Sequence, residues 1–250
     1  MGLDGWGWLA AGIAAFLVGM AKGGLTMVGT IAVPLLALAI SPVQAAGILL
    51  PVYVLSDLAG LIAFRRSFDR RVVVSLLPGA VFGIALGWAT ARMVDERRIG
   101  LIVGLIGLAF AARTLLGQRL HAGRAVAPRG PGWGRGTFWG ALTGYASFVS
   151  HSGGPPYQVY VQPLGMEPMV FAGTTTIFFA VCNAVKLIPY AVLGQLSVHN
   201  MSVAAALVVP ALAGVLAGLW ILRNLPTRVF YGFVTWALLA VSARLVWTGL

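Results

Sequence analysis

Long charge-free apolar runs, separated by short polar segments, extend along nearly the whole chain. A helix needs roughly 20 apolar residues to cross the hydrocarbon core of a bilayer. Runs that approach or reach this length predict helices at 42–64, 72–92, 97–117, 168–192, 200–222 and 228–249. The pattern is that of an all-α polytopic membrane protein.

Two longer apolar segments, 5–40 and 136–166, do not fit a single crossing. As one straight helix, residues 5–40 would measure about 54 Å, whereas the hydrocarbon core is ~30 Å thick. Glycine and proline interrupt both segments, at Lys22-Gly23-Gly24 and at 152–156. We therefore expect two half-length helices in each, which gives about 8 spans, or up to about 10 if each broken segment counts twice.

The composition excludes a soluble protein. The 250 residues are 59% hydrophobic and only 9% charged, whereas a soluble domain carries about 25% charged residues. Seventeen basic against six acidic side chains leave a formal charge of +11, and the basic residues cluster in short loops. This placement is typical of a membrane protein rather than of a nucleic-acid binder. We therefore expect a lipid bilayer, and no nucleic acid, as the chain's partner.

Two basic segments orient the chain. The loop at 65–71 and the linker at 118–135, with Arg119, Arg124, Arg129 and Arg135, are expected to face the cytoplasm.

The linker divides the chain into a first transmembrane repeat, 1–117, and a second, 136–250. Matching residues support this duplication: an offset of 126 aligns Pro42 with Pro168, Gly47 with Gly173, Asp57 with Asn183 and Leu61 with Leu187, and an offset of 132 aligns Pro78 with Pro210 and Trp88 with Trp220.

The relative orientation of the two repeats depends on how often each broken segment crosses the membrane. A single crossing makes the repeats parallel, whereas a double crossing or a re-entrant hairpin makes them inverted. Inversion would place Arg223 and Arg228 in the cytoplasm, which the positive-inside rule favours. Duplication with matching broken helices is typical of secondary transporters, whose binding site lies at the breaks near the bilayer midplane.

Four motifs carry a resemblance to a known family. They are 19–24, which reads GMAKGG, 41–47, which reads SPVQAAG, the Gly153-Gly154-Pro155 break, and 172–176, which reads AGTTT. The chain resembles the TauE/SafE family of sulfite and organosulfonate exporters from about Trp8 to Val246. The resemblance implies a multi-pass carrier in the cell inner (plasma) membrane for small sulfur-containing or carboxylate anions, without an organic cofactor.

Lys22, Gly23 and Gly24 form the first candidate binding segment. Unpaired N–H groups at a helix start attract anions, and glycine lets a ligand approach the backbone. A lysine at membrane depth is expensive enough to indicate a function. The alternative is a lysine that extends to the cytoplasmic surface from a short helical hairpin.

The matching break supplies the second candidate segment, which contains His151, Ser152, Gly153, Gly154 and Tyr157. Ser152 is expected to cap the following half-helix, and a proline suits its first turn. The N–H groups of Gly153 and Gly154 would face the anion, and His151 could donate to it or carry a proton. The alternative is a histidine that is hydrogen-bonded within a helix bend.

Polar residues within predicted spans complete the candidates. Thr174, Thr175 and Thr176 could donate hydrogen bonds to an oxyanion, although threonines in membrane helices commonly bond back to their own backbone. Asp57 and Lys186 lie on corresponding helices of the two repeats and predict a cross-repeat ion pair, which is either structural or a route for a coupling proton. Asn183, about one turn before Lys186, is expected to extend this network.

These residues favour a secondary transporter that works by alternating access, most directly an exporter of sulfite or of sulfur-containing organic anions. No paired carboxylates, metal-ligand spacing or Cys/His pair occurs at a plausible site, so we expect neither an enzyme nor a metal site. An anion channel and a non-transporting accessory subunit are the alternatives. The identity of the anion, the coupling ion, the direction of transport and the formation of a homo-oligomer stay open.

Overall fold

The computed structural model describes residues 4–40, 42–91, 93–120, 130–150, 152–192 and 198–250. Within these ranges all regular secondary structure is helical, as predicted. In chain order the elements are α1 (Gly5–Lys22), a 3-10 helix (Thr26–Ile31), α2 (Ala32–Leu36), α3 (Pro42–Phe64), α4 (Arg70–Thr90), α5 (Glu96–Leu120), α6 (Trp133–Val149), α7 (Gly154–Val161), a second 3-10 helix (Gln162–Leu164), α8 (Pro168–Val192), α9 (Val198–Ala206), α10 (Val208–Asn224) and α11 (Thr227–Gly249).

Six of the described helices are long and apolar enough to cross a membrane: α1, α3, α4, α5, α8 and α11. Five of them match predicted spans to within a few residues. The sixth predicted span, 200–222, is wrong as a single helix, because α9 and α10 meet at Leu207 with a bend of 50°. Counted as one span, this pair brings the described crossings to seven. The predicted total of 8 to 10 stays a prediction.

Both broken segments are interrupted where expected, but not into equal halves. The first piece, α1, has 18 residues, about 27 Å of helix, and is long enough to span. The corresponding piece of the second segment, α6, has 17 residues, whereas α7 has only 8. The expectation of half-length helices is therefore wrong, because each glycine break comes only after a nearly complete membrane-length helix.

Contacts divide the chain into two compact units. The first unit contains the residues up to Phe68 together with Met169–Leu225. Its core is the alanine-rich face of α1, which packs against α2, α3 and α10, and α9 joins the same core through α3. Glycines allow α1 and α10 to approach at backbone distance: a Cβ added to Gly19 would overlap the carbonyl of Ala211, and one added to Gly214 would overlap the carbonyl of Phe16.

The second unit contains Asp69–Pro168 and Pro226–Leu250. Here α4 packs against α6 through glycines on both helices. A Cβ added to Gly83 would overlap the carbonyl of Ala141, and one added to Gly144 would overlap the carbonyl of Ala80. Each compact unit thus combines helices from both halves of the sequence, while the division into repeats 1–117 and 136–250 stays a prediction about ancestry.

Candidate functional site

A buried ion pair lies at the end of α1, in the first unit. The ammonium nitrogen of Lys22 is 2.6 Å from a carboxylate oxygen of Asp57 on α3. The two residues are only 6% and 3% exposed. The other carboxylate oxygen of Asp57 accepts a hydrogen bond of 2.8 Å from the amide nitrogen of Asn183 on α8. Three separate helices therefore meet at one carboxylate.

This cluster tolerates burial because its charges compensate each other. An isolated charge in an apolar interior is strongly destabilising, whereas pairing and hydrogen bonding offset much of that cost. Lys22 makes a further contact with Tyr53, whose ring centroid is 5.3 Å from the ammonium nitrogen, within the range of a cation–π interaction. Lys22 does not extend to the surface, so the alternative of a surface-directed lysine is wrong.

The glycines after Lys22 form a helix cap rather than an open anion site. The N–H of Gly23 donates to the carbonyl of Gly19, that of Gly24 to Ala21, and that of Leu25 to Met20. Gly24 has a φ of 119°, which side chains disfavour and glycine accepts. The predicted capture of an anion by the N–H groups of Gly23 and Gly24 is therefore wrong in this conformation, because α1 already uses both donors.

Close helix packing explains why residue 23 is glycine. A Cβ on Gly23 would overlap the carbonyl oxygen of Val215 on α10. Gly60 has a similar role beside the ion pair, because a Cβ there would lie 3.1 Å from the carbonyl oxygen of Lys22 and 2.6 Å from a methyl carbon of Thr176. Sequence reasoning missed Gly60, although its position one turn after Asp57 marks the same helix face.

The three threonines of α8 have different partners. Thr176 donates to the carbonyl oxygen of Lys22 at 3.4 Å, so it links α8 to the end of α1. Thr174 and Thr175 donate to the carbonyls of Val170 and Phe171, one turn earlier. The alternative that threonine hydroxyls bond to the backbone of their own helix is thus correct for Thr174 and Thr175. A direct contact of any of the three threonines with substrate stays a prediction.

The second break belongs to the second unit. His151 lies outside the described residues. The N-terminal cap of α7 is Gly153, without a side-chain hydrogen bond, and the hydroxyl of Ser152 donates to the carbonyl of Ser150. The predicted capping role of Ser152 is therefore wrong, because its hydroxyl turns back to the end of α6.

Prolines occupy the first turn of α7 as expected, at positions 155 and 156. Proline has no N–H, so Gly154 is the only one of the first three residues of α7 that carries a donor. Gly153 packs closely on α6, since a Cβ there would lie 2.8 Å from the Cβ of Ser147. Tyr157 is fully buried. Binding of an anion by Gly153, Gly154 and Tyr157 stays a prediction.

The TauE/SafE sulfite exporter family model matches residues 11–245, which include both breaks and the ion pair. The chain belongs to the TauE/SafE family. It is therefore a membrane protein of a transporter family. Comparison with curated proteins and with solved structures gives no significant match.

In this TauE/SafE protein a second buried lysine lies near the cluster. Lys186 is buried on α8, about one turn after Asn183, within electrostatic range of both Lys22 and Asp57. The predicted participation of Asn183 is confirmed, and Asp57 is indeed ion-paired, although the structure identifies Lys22 as its partner. A direct contact between Asp57 and Lys186 stays a prediction.

The cluster contains hydrogen-bond donors of two kinds. Among the described residues no group of three or more His, Cys, Asp and Glu side chains could hold a metal ion. The ammonium group has three donors and the carboxamide of Asn183 has two. Both types of donor suit the oxygens of a small oxyanion. The sequence missed Tyr53, although its position four residues before Asp57 places both on one face of α3.

Proposed function

We propose that this TauE/SafE protein is a secondary transporter that exports small anions, sulfite or sulfur-containing organic anions, across the cell inner membrane. The observation that carries the proposal is the buried Lys22–Asp57 pair at the break of α1. A membrane-embedded ion pair of this kind is costly, and it is retained where a substrate or ion pathway needs it. The substrate anion binds beside Lys22 and takes over the role of Asp57 as its counter-ion.

The chemistry of Lys22 supports an anion as the ligand. Its ammonium group has three N–H donors, and a small anion that binds to it competes with Asp57 for this cation. Once the anion is bound to Lys22, Asp57 loses its partner and a proton can neutralise it. A proton is therefore our candidate coupling ion, with Asn183 as the donor that holds the Asp57 carboxylate in place.

Two further observations support the duplication of the chain. Asp57 and Asn183, which align at an offset of 126, are in direct contact. Residues that are equivalent under a two-fold axis touch only close to that axis, whether the repeats are inverted or parallel. The helix pairing is also reciprocal, since α1 packs on α10 and its counterpart α6 packs on α4, the counterpart of α10. Inversion of the repeats is our proposal from the positive-inside rule.

Counterflow in proteoliposomes tests the proposal. Purified protein is reconstituted with unlabelled sulfite inside, and uptake of radiolabelled sulfite is followed in the presence of sulfate, thiosulfate, a sulfonate or acetate as competitors. A carrier gives saturable exchange, inhibited best by its own substrate. Flux without exchange would support a channel, and well-folded protein without any exchange or flux would support an accessory role.

Variants of the ion pair test the site. Lys22→Ala should abolish counterflow, whereas Arg244→Ala, which removes an exposed cation on α11, should leave it unchanged. Because Lys22→Ala leaves the buried Asp57 unpaired, a Lys22→Met/Asp57→Leu variant is measured as well. This double variant should fold and still fail to transport, and wild-type counterflow by it would refute the role of Lys22.

A further inference from the structure

A basic cavity opens in the second unit, where α4 and α6 begin. Its volume is about 720 Å³, and it is lined by Arg70, Arg71, Val74, Ser75, Pro131 and Trp133. Neither arginine belongs to the Lys22 cluster, and neither is among the binding residues predicted from the sequence. The cavity is therefore a separate candidate binding site.

Two arginines line the cavity. Arg70 and Arg71 are the first two residues of α4, where the helix dipole adds partial positive charge. Asp69 caps the helix, since its carboxylate accepts the N–H groups of Arg71 and Val72. Both guanidinium groups remain exposed, and each presents five N–H donors in the planar arrangement that suits phosphate oxygens.

Hydrogen bonds between helices stabilise the shape of the cavity. The hydroxyls of Ser75 on α4 and Tyr160 on α7 are 3.2 Å apart. The same tyrosine oxygen accepts the N–H of Gly132 at 3.2 Å, immediately before α6. These hydrogen bonds join α4, α7 and the residue before α6, so the backbone around the cavity is held in place.

Apolar side chains follow the two arginines along α4. Val74 lies one turn below Arg70, and further exposed apolar side chains follow on the same helix at Val81, Phe82 and Leu86. Trp133, at the start of α6, is 66% exposed, which is typical of an indole at a membrane interface. A small free anion needs no such apolar surface. A phospholipid needs both cationic groups for its phosphate and an apolar surface for its acyl chains.

We propose that this cavity binds the headgroup phosphate of an anionic phospholipid in the cytoplasmic leaflet. The arginines bind the phosphate, Trp133 packs against the glycerol region, and an acyl chain follows the exposed apolar side of α4. The leaflet follows from the basic loop at 65–71, which the positive-inside rule places in the cytoplasm. The site is independent of the transport site at Lys22.

Native mass spectrometry of the purified full-length protein tests this site. Delipidated protein is titrated with phosphatidylglycerol or with phosphatidylcholine, and the occupancy of the first bound lipid is measured. The wild type should prefer phosphatidylglycerol, and Arg70→Gln/Arg71→Gln should bind it roughly tenfold more weakly. Trp133→Ala should weaken binding of the same lipid by a smaller factor.

The matched control is Arg97→Gln/Arg98→Gln, which removes two exposed arginines near the start of α5. It should retain the wild-type preference for phosphatidylglycerol. If both double variants lose affinity for phosphatidylglycerol equally, the effect comes from the overall charge of the protein, and the proposed site is overturned. Equal binding of the two lipids by the wild type, or displacement of phosphatidylglycerol by inorganic phosphate or sulfite at millimolar concentration, would overturn it as well.

Discussion

Asp57 and Asn183 are joined by a hydrogen bond of 2.8 Å, and they are the residues that align with each other at an offset of 126 in the two halves of the chain. One position is a carboxylate and the other an amide, so the contact is complementary rather than repulsive. If the halves are copies, an ancestral pair of identical residues has diverged into an acceptor and a donor. The asymmetry leaves a single carboxylate for Lys22 to pair with.

The Asn183 amide should be needed to hold the Asp57 carboxylate. Asn183→Leu removes the donor and should lower the free energy of unfolding by about 2 kcal/mol, because hydrogen bonds to charged groups contribute roughly 1.5–3 kcal/mol. Chemical denaturation in detergent measures this change. Asn224→Leu is the control: its amide donates to a carbonyl on the exposed end of α10, and its removal should cost well under 1 kcal/mol. Equal losses would contradict the special role of Asn183.

The two charges of the Lys22–Asp57 pair should depend on each other for stability. Lys22→Met or Asp57→Leu alone leaves one buried charge without its partner, and each should cost about 3–5 kcal/mol. The double variant removes both charges and should recover most of that loss. A double-mutant cycle on thermal unfolding measures the coupling. Additive effects of the two substitutions would show that the pair is not an energetic unit.

Tyr53 should contribute to stability through its ring as well as through its hydroxyl. Tyr53→Phe removes the hydrogen bond of 2.9 Å from its hydroxyl to the carbonyl of Gly29 but keeps the aromatic face toward Lys22. It should cost about 1 kcal/mol and retain counterflow. Tyr53→Leu also removes the cation–π contact and should cost about 1–2 kcal/mol more. Thermal unfolding separates the two variants, and equal destabilisation would rule out the ring contact.

The α1–α10 contact should reject any side chain at Gly19. Gly19→Ala places a methyl group on the backbone carbonyl of Ala211 and should destabilise by about 1–3 kcal/mol, the usual effect of overpacking. Gly12→Ala is the matched control in the same helix, since nothing lies within 4 Å of its added Cβ. That substitution should be neutral or stabilising by up to about 1 kcal/mol. Thermal unfolding of both variants gives the comparison, and a neutral Gly19→Ala would contradict the close approach of the two helices.

Local properties of the chain were predictable without coordinates. Apolar runs of membrane length predict helices because every backbone polar group must be satisfied inside the segment, whatever it packs against. The bounds of α3, α8 and α11, the interruption after Lys22, the family, and the association of Asn183 with Asp57 all follow from sequence pattern.

Only the tertiary structure decided which groups those helices bring together. The sequence does not determine which residue pairs with Lys22. Its contact with Asp57 depends on the close approach of α1 and α3, and Gly60 permits this approach because it has no side chain. The N–H groups of Gly23 and Gly24 looked available in the sequence, yet the cap of α1 uses them. The bend at Leu207 and the basic cavity at Arg70 were likewise not apparent from the sequence. Hydrophobicity acts on each segment separately, whereas ion pairs, caps and cavities depend on distances between segments far apart in the chain.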